Sequence, residues 1–209
     1  MGVTAQESPL EPISASSSAE AAARPLRADA ARNRARILEA AEAVFAAEGI
    51  EVPVDMIAEK AGVGVGTLYR HFPTKEKLCE AILLERLASL TVDAQALADA
   101  DDPAAAFFGF LCHIAEEVQK KRDVLVAVMG AGVTFDEAAA EIKEGLRAAI
   151  EVLLRRAQAV GAVREDVTAA AVLALVGGTC QAAAHDPTDV TTSQQLLTVV
   201  CDGLRRQQG

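Results

Sequence analysis

Val54-Asp55-Met56-Ile57-Ala58-Glu59-Lys60-Ala61-Gly62-Val63-Gly64-Val65-Gly66-Thr67-Leu68-Tyr69-Arg70-His71-Phe72-Pro73-Thr74-Lys75 is the stretch that decides how the chain is read. It divides into a short helix over 54–61, a Gly62-Val63-Gly64 turn and a second short helix over 65–72. Gly62 supplies the left-handed stop that ends a helix without a Cβ clash. Pro73 ends the second helix by pushing the residue before it out of the α region. Ile57, Ala58 and Ala61 make one apolar side, and Val63 and Leu68 are placed to pack back on it. Neither helix is long enough to stand alone, so both need a third for a core. Two short helices meeting at a glycine turn form a helix-turn-helix, whose second helix enters a DNA major groove. Leu68 and Phe72, four apart, hold that helix down, while Thr67, Tyr69, Arg70 and His71 carry groups that bond phosphates and base edges.

The third helix of the head lies upstream, over 29–48, with Ile37, Leu38, Ala41, Val44 and Phe45 as its stripe and Gly49 as its stop. Arg24, Arg27, Arg32, Arg34 and Arg36 crowd the approach to that stripe. Positive charge at a helix N-terminus opposes the helix dipole, so local stability does not explain it. A nearby phosphate does, which adds Arg27, Arg32 and Arg34 to the candidate DNA contacts; a plain solvated face is the competing reading.

The run from Gly62 to Leu78, with Phe45, Gly49 and Ile57-Ala58-Glu59-Lys60-Ala61, resembles the signature of the tetracycline-repressor (TetR) family. The likeness is specific over about 29–84; farther on, the phrase from Arg156-Ala157-Gln158 to Val167 is similar to one C-terminal subgroup. The resemblance implies that Thr67, Tyr69, His71 and Lys75 contact phosphates, and that Arg70 stands at a variable, often base-reading position. Val65 and Gly66 fall where the recognition helix comes closest to DNA. The sequence departs from the family pattern twice: Gly64 replaces a frequent Ser cap and Val65 a frequent Lys. One phosphate contact is thereby put in doubt, and Val65 is placed to touch a thymine methyl instead.

Composition supports a helical protein. Of the 209 residues 51% are hydrophobic but only 3% aromatic, with no Trp and one Tyr, so the apolar excess lies in Ala, Leu and Val. That material favours helices over a β-sandwich. No apolar run of 18 or more residues appears, so no membrane span is expected, and the N-terminus lacks a secretory pattern; a cytoplasmic protein is the expectation. Cys79, Cys112, Cys180 and Cys201 show no CxxC spacing and read as reduced thiols. The net charge of −10 is unevenly spread: residues 24–80 hold nine basic and nine acidic side chains, residues 81–209 hold 11 and 18, and the first 23 only three acids. An acidic body limits unspecific contact with DNA without weakening the head.

Residues 1–23, rich in Ser, Ala, Glu and Pro, read as a disordered tail; 24–76 as the helix-turn-helix domain; and 77–209 as a ligand-binding and dimerisation domain. The expected fold is all-α, about nine helices in total: a three-helix head, then a long helix over 74–97 and helices over 104–121, 124–129, 136–159, 167–184 and 189–207. Phe107, Phe110, Leu111, Ile114, Met129 and Phe135 read either as ordinary core or as the wall of an apolar ligand pocket, with His113, Gln119 and Gln181 as polar anchors. The helix over 167–184 is apolar or small nearly all round at Val172, Leu173, Leu175, Val176, Gly177 and Gly178, which calls for burial on more than one face, and Leu196, Leu197, Val200, Cys201 and Leu204 stripe the last helix. The resemblance implies dimerisation through the last two long helices, with Val172, Val176, Cys180, Leu197, Val200 and Leu204 expected at the contact.

Enzyme chemistry finds no support: there is no GxSxG, no HExxH and no strand to precede a phosphate loop. His113 with Glu116 or Glu117 has metal-ligand spacing, but only His185-Asp186 could complete a site, so neither metal nor cofactor is expected. The reading is a homodimeric regulator of double-stranded DNA, a repressor released from a palindromic operator by a small apolar or amphipathic effector. The alternatives are a dimeric regulator without a ligand and an α-helical ligand- or metal-binding protein.

Overall fold

The computed structural model describes residues 16–120, 137–185 and 190–206. Eight helices stand among them: α1 (Ser16–Glu48), α2 (Val54–Ala61), α3 (Val65–His71), α4 (Lys75–Ala96), α5 (Pro103–Lys120), α6 (Glu137–Ala159), α7 (Ala169–His185) and α8 (Val190–Leu204). No strand occurs among the described residues, where pairing is limited to one isolated bridge between Val163 and Arg205. The expected helix over 124–129 lies outside the described residues. No helix among the described residues is long and apolar enough to cross a membrane.

Local chemistry sets most of the boundaries. Gly49, Gly62 and Gly161 all have positive φ (80°, 63° and 72°), and they end α1, α2 and α6. Phe72, ahead of Pro73, is extended at φ −135°, ψ 93°. The Thr74 hydroxyl then caps α4 by accepting from the Lys77 amide at 3.2 Å. The start of α1 differs from expectation: helix is already present at Ser16, so the segment 16–23 is not the unstructured tail its composition suggested. Ala21-Ala22-Ala23 loses almost no side-chain entropy in a helix, and lengthening a helix already nucleated costs far less than starting one.

The helices close around two apolar cores. One gathers Ile37, Leu38, Phe45, Ile57, Leu68, Phe72 and Ile82 from α1 to α4. The other gathers Leu90, Phe107, Phe110, Leu111, Ile150, Leu153, Val172 and Leu204 from α4 to α8. Helix α4 contributes to both: Leu78, Cys79, Ala81 and Ile82 to the first, Leu90 and Ala94 to the second. Arg156 fixes the far end of α4, donating to the carbonyls of Ala98 at 2.5 Å and Ala100 at 2.8 Å. Two residues on, the Gln158 amide donates to the carbonyls of Arg164 and Val167 at 2.8 and 3.0 Å. The phrase from Arg156 to Val167 is therefore a structural clasp that ties α6 to the loop between α4 and α5 and to the loop that follows α6.

The first core generates two tests. Ala at Gly49 or Gly62 must hold a left-handed backbone, at a cost of about 1–2 kcal/mol each. Gly62→Ala should cost more, since a Cβ there would lie 2.5 Å from the Arg36 Nη2 that donates to the Gly62 carbonyl at 3.2 Å. Urea denaturation of both variants checks the order. Burial pushes the Cys79 thiol up from 9.0 to about 11. The folded state thus keeps this proton longer than the unfolded chain, a contribution complete below about pH 9 and lost as pH rises toward about 11. Stability measured across that window should fall less steeply in Cys79→Ala than in the wild type.

Candidate DNA-binding site

The recognition helix is defined by how little of it is buried. Leu68, at 1% exposure, is its one buried residue, and Phe72, at 3%, seals its end. Around that anchor Val65, Gly66, Tyr69 and Arg70 are exposed, and Thr67 and His71 are half-buried. Tyr69 keeps 44% of its surface, and a tyrosine that exposed is not held by the core. Arg70 makes no ion pair among the described residues, so its planar fork is available for the O6 and N7 of a guanine. The outward face expected from sequence is thus assembled on one short helix. Gly64 caps it without a side-chain hydrogen bond, in keeping with the missing Ser.

The basic side chains upstream and downstream are placed differently. Arg32 pairs with Asp29 on the exposed side of α1. Arg34 lies over the Phe72 ring, 5.4 Å from its centroid. Arg27 belongs to α1, with its side chain outside the described residues. Lys75 departs most from expectation: its Nζ donates to the Val52 carbonyl at 2.8 Å and sits 5.9 Å over the Phe45 ring. That contact joins the start of α4 to the loop before α2. An ammonium has three donors, so one bond does not exhaust it. Arg36 stands out in the sequence as part of the basic cluster, but its partner does not: it donates to the Gly62 carbonyl from 26 residues away, a contact that no local pattern announces.

In the body, Phe107, Phe110, Leu111 and Ile114 are all 4% exposed or less and pack within the second core. Phe107 meets Phe108 edge-on at 5.3 Å. Met129 and Phe135 lie outside the described residues, as does the side chain of Gln181. A cleft of about 450 Å³ opens elsewhere, where the head meets α4 and α6, lined among others by Phe72, Glu80, Leu84 and Ile142. His113 faces Asp93 at 3.3 Å, while Glu117 pairs with Arg86 at 2.8 Å, so the residues with metal-ligand spacing point to separate partners. Among the described residues no three His, Cys, Asp or Glu side chains converge on a metal site.

The residues chosen for subunit contact need correcting. Val172, Val176, Leu197 and Leu204 are 0–9% exposed inside the chain's own core, so they are not free to meet a second copy. Val200 is half-buried, and the Cys180 side chain lies outside the described residues. The outward apolar positions on these helices are Leu175 at 44% and Val199 at 68%, with Gly177 and Gly178 also exposed. A helix apolar all round carries no periodic signal to say which face turns inward.

Comparison with known proteins agrees with this geometry. Residues 37–82 match the family described as bacterial regulatory proteins, tetR family, and residues 102–206 match the C-terminal domain of transcriptional regulators like SbtR. A TetR transcription regulatory protein from Mycobacterium vanbaalenii is 40% identical, with a TM-score of 0.63 over 87% of this chain and 99% of that one. A TetR transcriptional regulator from Streptomyces coelicolor is 31% identical, with a TM-score of 0.61 over 84% and 99%. An HTH-type transcriptional regulator of Staphylococcus aureus is 46% identical over 59 residues, which span 28% of this chain and 32% of that relative. A reading helix held outward by Leu68 and Phe72 on a helical body, matched to relatives along almost their full length, places the chain in the TetR family of DNA-binding transcriptional regulators.

Proposed function

We propose that the protein is a homodimeric repressor, bound to a palindromic operator and released from it by a small apolar or amphipathic molecule. The observation that carries this reading is the single-sided burial of α3, with Tyr69 and Arg70 turned to solvent. In a two-fold dimer a pair of such helices would fall in successive major grooves, about 34–36 Å apart. The outer faces of α7 and α8 supply the dimer surface. Leu175 and Val199 are apolar side chains left 44% and 68% exposed, and Gly177-Gly178 allows close approach.

Release requires that the effector bind one head separation better than the other, since a ligand with equal affinity for both shifts nothing. Helix α4 is the element suited to carry that difference, because it belongs to both cores. A regulator that answers only to its own concentration is the second reading. It is favoured by the close packing of Phe107, Phe110, Leu111 and Ile114, which leaves none of these four lining the junction cleft.

Selection of bound sequences from random DNA should return a two-fold consensus, and failure to enrich any sequence would overturn the proposal. On that consensus, Tyr69→Phe should weaken binding by about 1 kcal/mol on all sequences alike. Arg70→Ala should cost about 1–3 kcal/mol and relax preference at one position of each half-site. Fluorescence anisotropy against matched and mismatched duplexes separates the two effects. Leu175→Glu combined with Val199→Glu should convert the dimer to monomer in sedimentation equilibrium while leaving the helical circular dichroism intact.

A further inference from the structure

Of the exposed side chains on α3, those of Val65, Tyr69 and Arg70, only Val65 has no polar atom. It is 37% exposed and belongs neither to the first core nor to the apolar residues packed against that core. Local helix stability does not favour it, because a β-branched side chain loses rotamer freedom in a helix. Gly66 beside it is equally unexplained from within the chain. It is exposed, its φ is not positive, and an added Cβ would meet nothing within 4 Å. Glycine is the poorest helix former after proline. Two neighbouring residues that weaken the helix and serve no contact inside the chain point to a partner that comes close from outside. Tyr69, at 44% exposure, lies one turn on along the same side of the helix.

We infer that Val65 is a specificity-determining residue that reads the C5 methyl group of a pyrimidine in the major groove, with Gly66 letting the helix backbone approach the base edge and the Tyr69 ring flanking the methyl. The inference deepens the operator reading proposed above and rests on it. In a helix-turn-helix complex the first residues of the second helix meet base edges. The thymine methyl is the apolar group that such an edge presents. An isopropyl group cannot bond a base oxygen or amine, so what it recognises is the methyl and not the base that carries it. A methylated cytosine carries the same group on the same carbon. Val65 therefore makes no distinction between thymine and 5-methylcytosine, and it separates both from unmodified cytosine. Arg70, by contrast, discriminates through hydrogen bonds, so the two exposed side chains read different properties of the site.

The test takes the consensus selected from random DNA and replaces each thymine in turn with deoxyuridine, which removes the methyl and keeps every hydrogen-bonding group. Fluorescence anisotropy with the full-length protein should find one thymine per half-site where the loss weakens binding about fourfold, the worth of one buried methyl. Changing both half-sites should weaken it about 15-fold. With cytosine at that position, 5-methylation should strengthen binding by the same factor of about four. In Val65→Ala, a truncation at an exposed position, the deoxyuridine penalty should shrink below about twofold while the helical circular dichroism is retained. Operator binding that ignores every thymine methyl, or a consensus without thymine, would overturn the inference and leave the operator reading standing. An undiminished deoxyuridine penalty in Val65→Ala would overturn it as well, because another residue would then be reading the methyl. A selection that enriches no sequence would remove both readings together.

Discussion

One helix serving two cores is the constraint on which this structure rests. Helix α4 buries Leu78, Cys79, Ala81 and Ile82 against the head and Leu90 and Ala94 against the body, without a break between them. A continuous helix transmits a rotation at one end to the other, whereas a flexible linker would absorb it. Thr74 caps its start and the Lys75 ammonium ties that start to the Val52 carbonyl, so the head follows the helix. At the far end Arg156 holds the carbonyls of Ala98 and Ala100. The two cores are therefore joined by one continuous element of 22 residues rather than by a linker.

The head shows how a small domain presents a short helix. Seven residues of α3 cannot hold a helix alone, and only Leu68 and the adjoining Phe72 fix it to the rest. Burying so little leaves the remaining side chains available for a nucleic acid, at the expense of intrinsic stability. The head compensates with contacts of long sequence separation: Arg36 on the Gly62 carbonyl, Lys75 on Val52, and Arg34 on the face of Phe72. Cations that local spacing suggests as phosphate ligands thus serve first to brace the helix-turn-helix. The two roles are compatible, because guanidinium and ammonium groups carry more donors than one such contact uses.

The junction between head and body is where the packing is least complete. The α4–α6 seam is tight around Leu146 and Ile150, yet toward the head it opens into the cleft beside Ile142. An unpartnered oxygen on Glu80 at that place is unlike the rest of the described side chains, where apart from Arg86 every buried polar atom finds a hydrogen-bond partner.

What the sequence determined by itself was the set of elements and the nature of the head. Glycines with positive φ at 49, 62 and 161, the proline at 73 and the 3.6-residue stripes all act within a few residues of chain, so their effects can be read locally. Only the tertiary structure decided which faces meet. Val172, Val176, Leu197 and Leu204 turn inward while Leu175 and Val199 turn out, although all six are equally apolar in the sequence. Lys75 bends to a carbonyl 23 residues earlier, and Glu80 is sealed at a junction between three parts of the chain. Such outcomes follow from the shape of neighbours distant in sequence, and composition or periodicity within one helix carries no record of them.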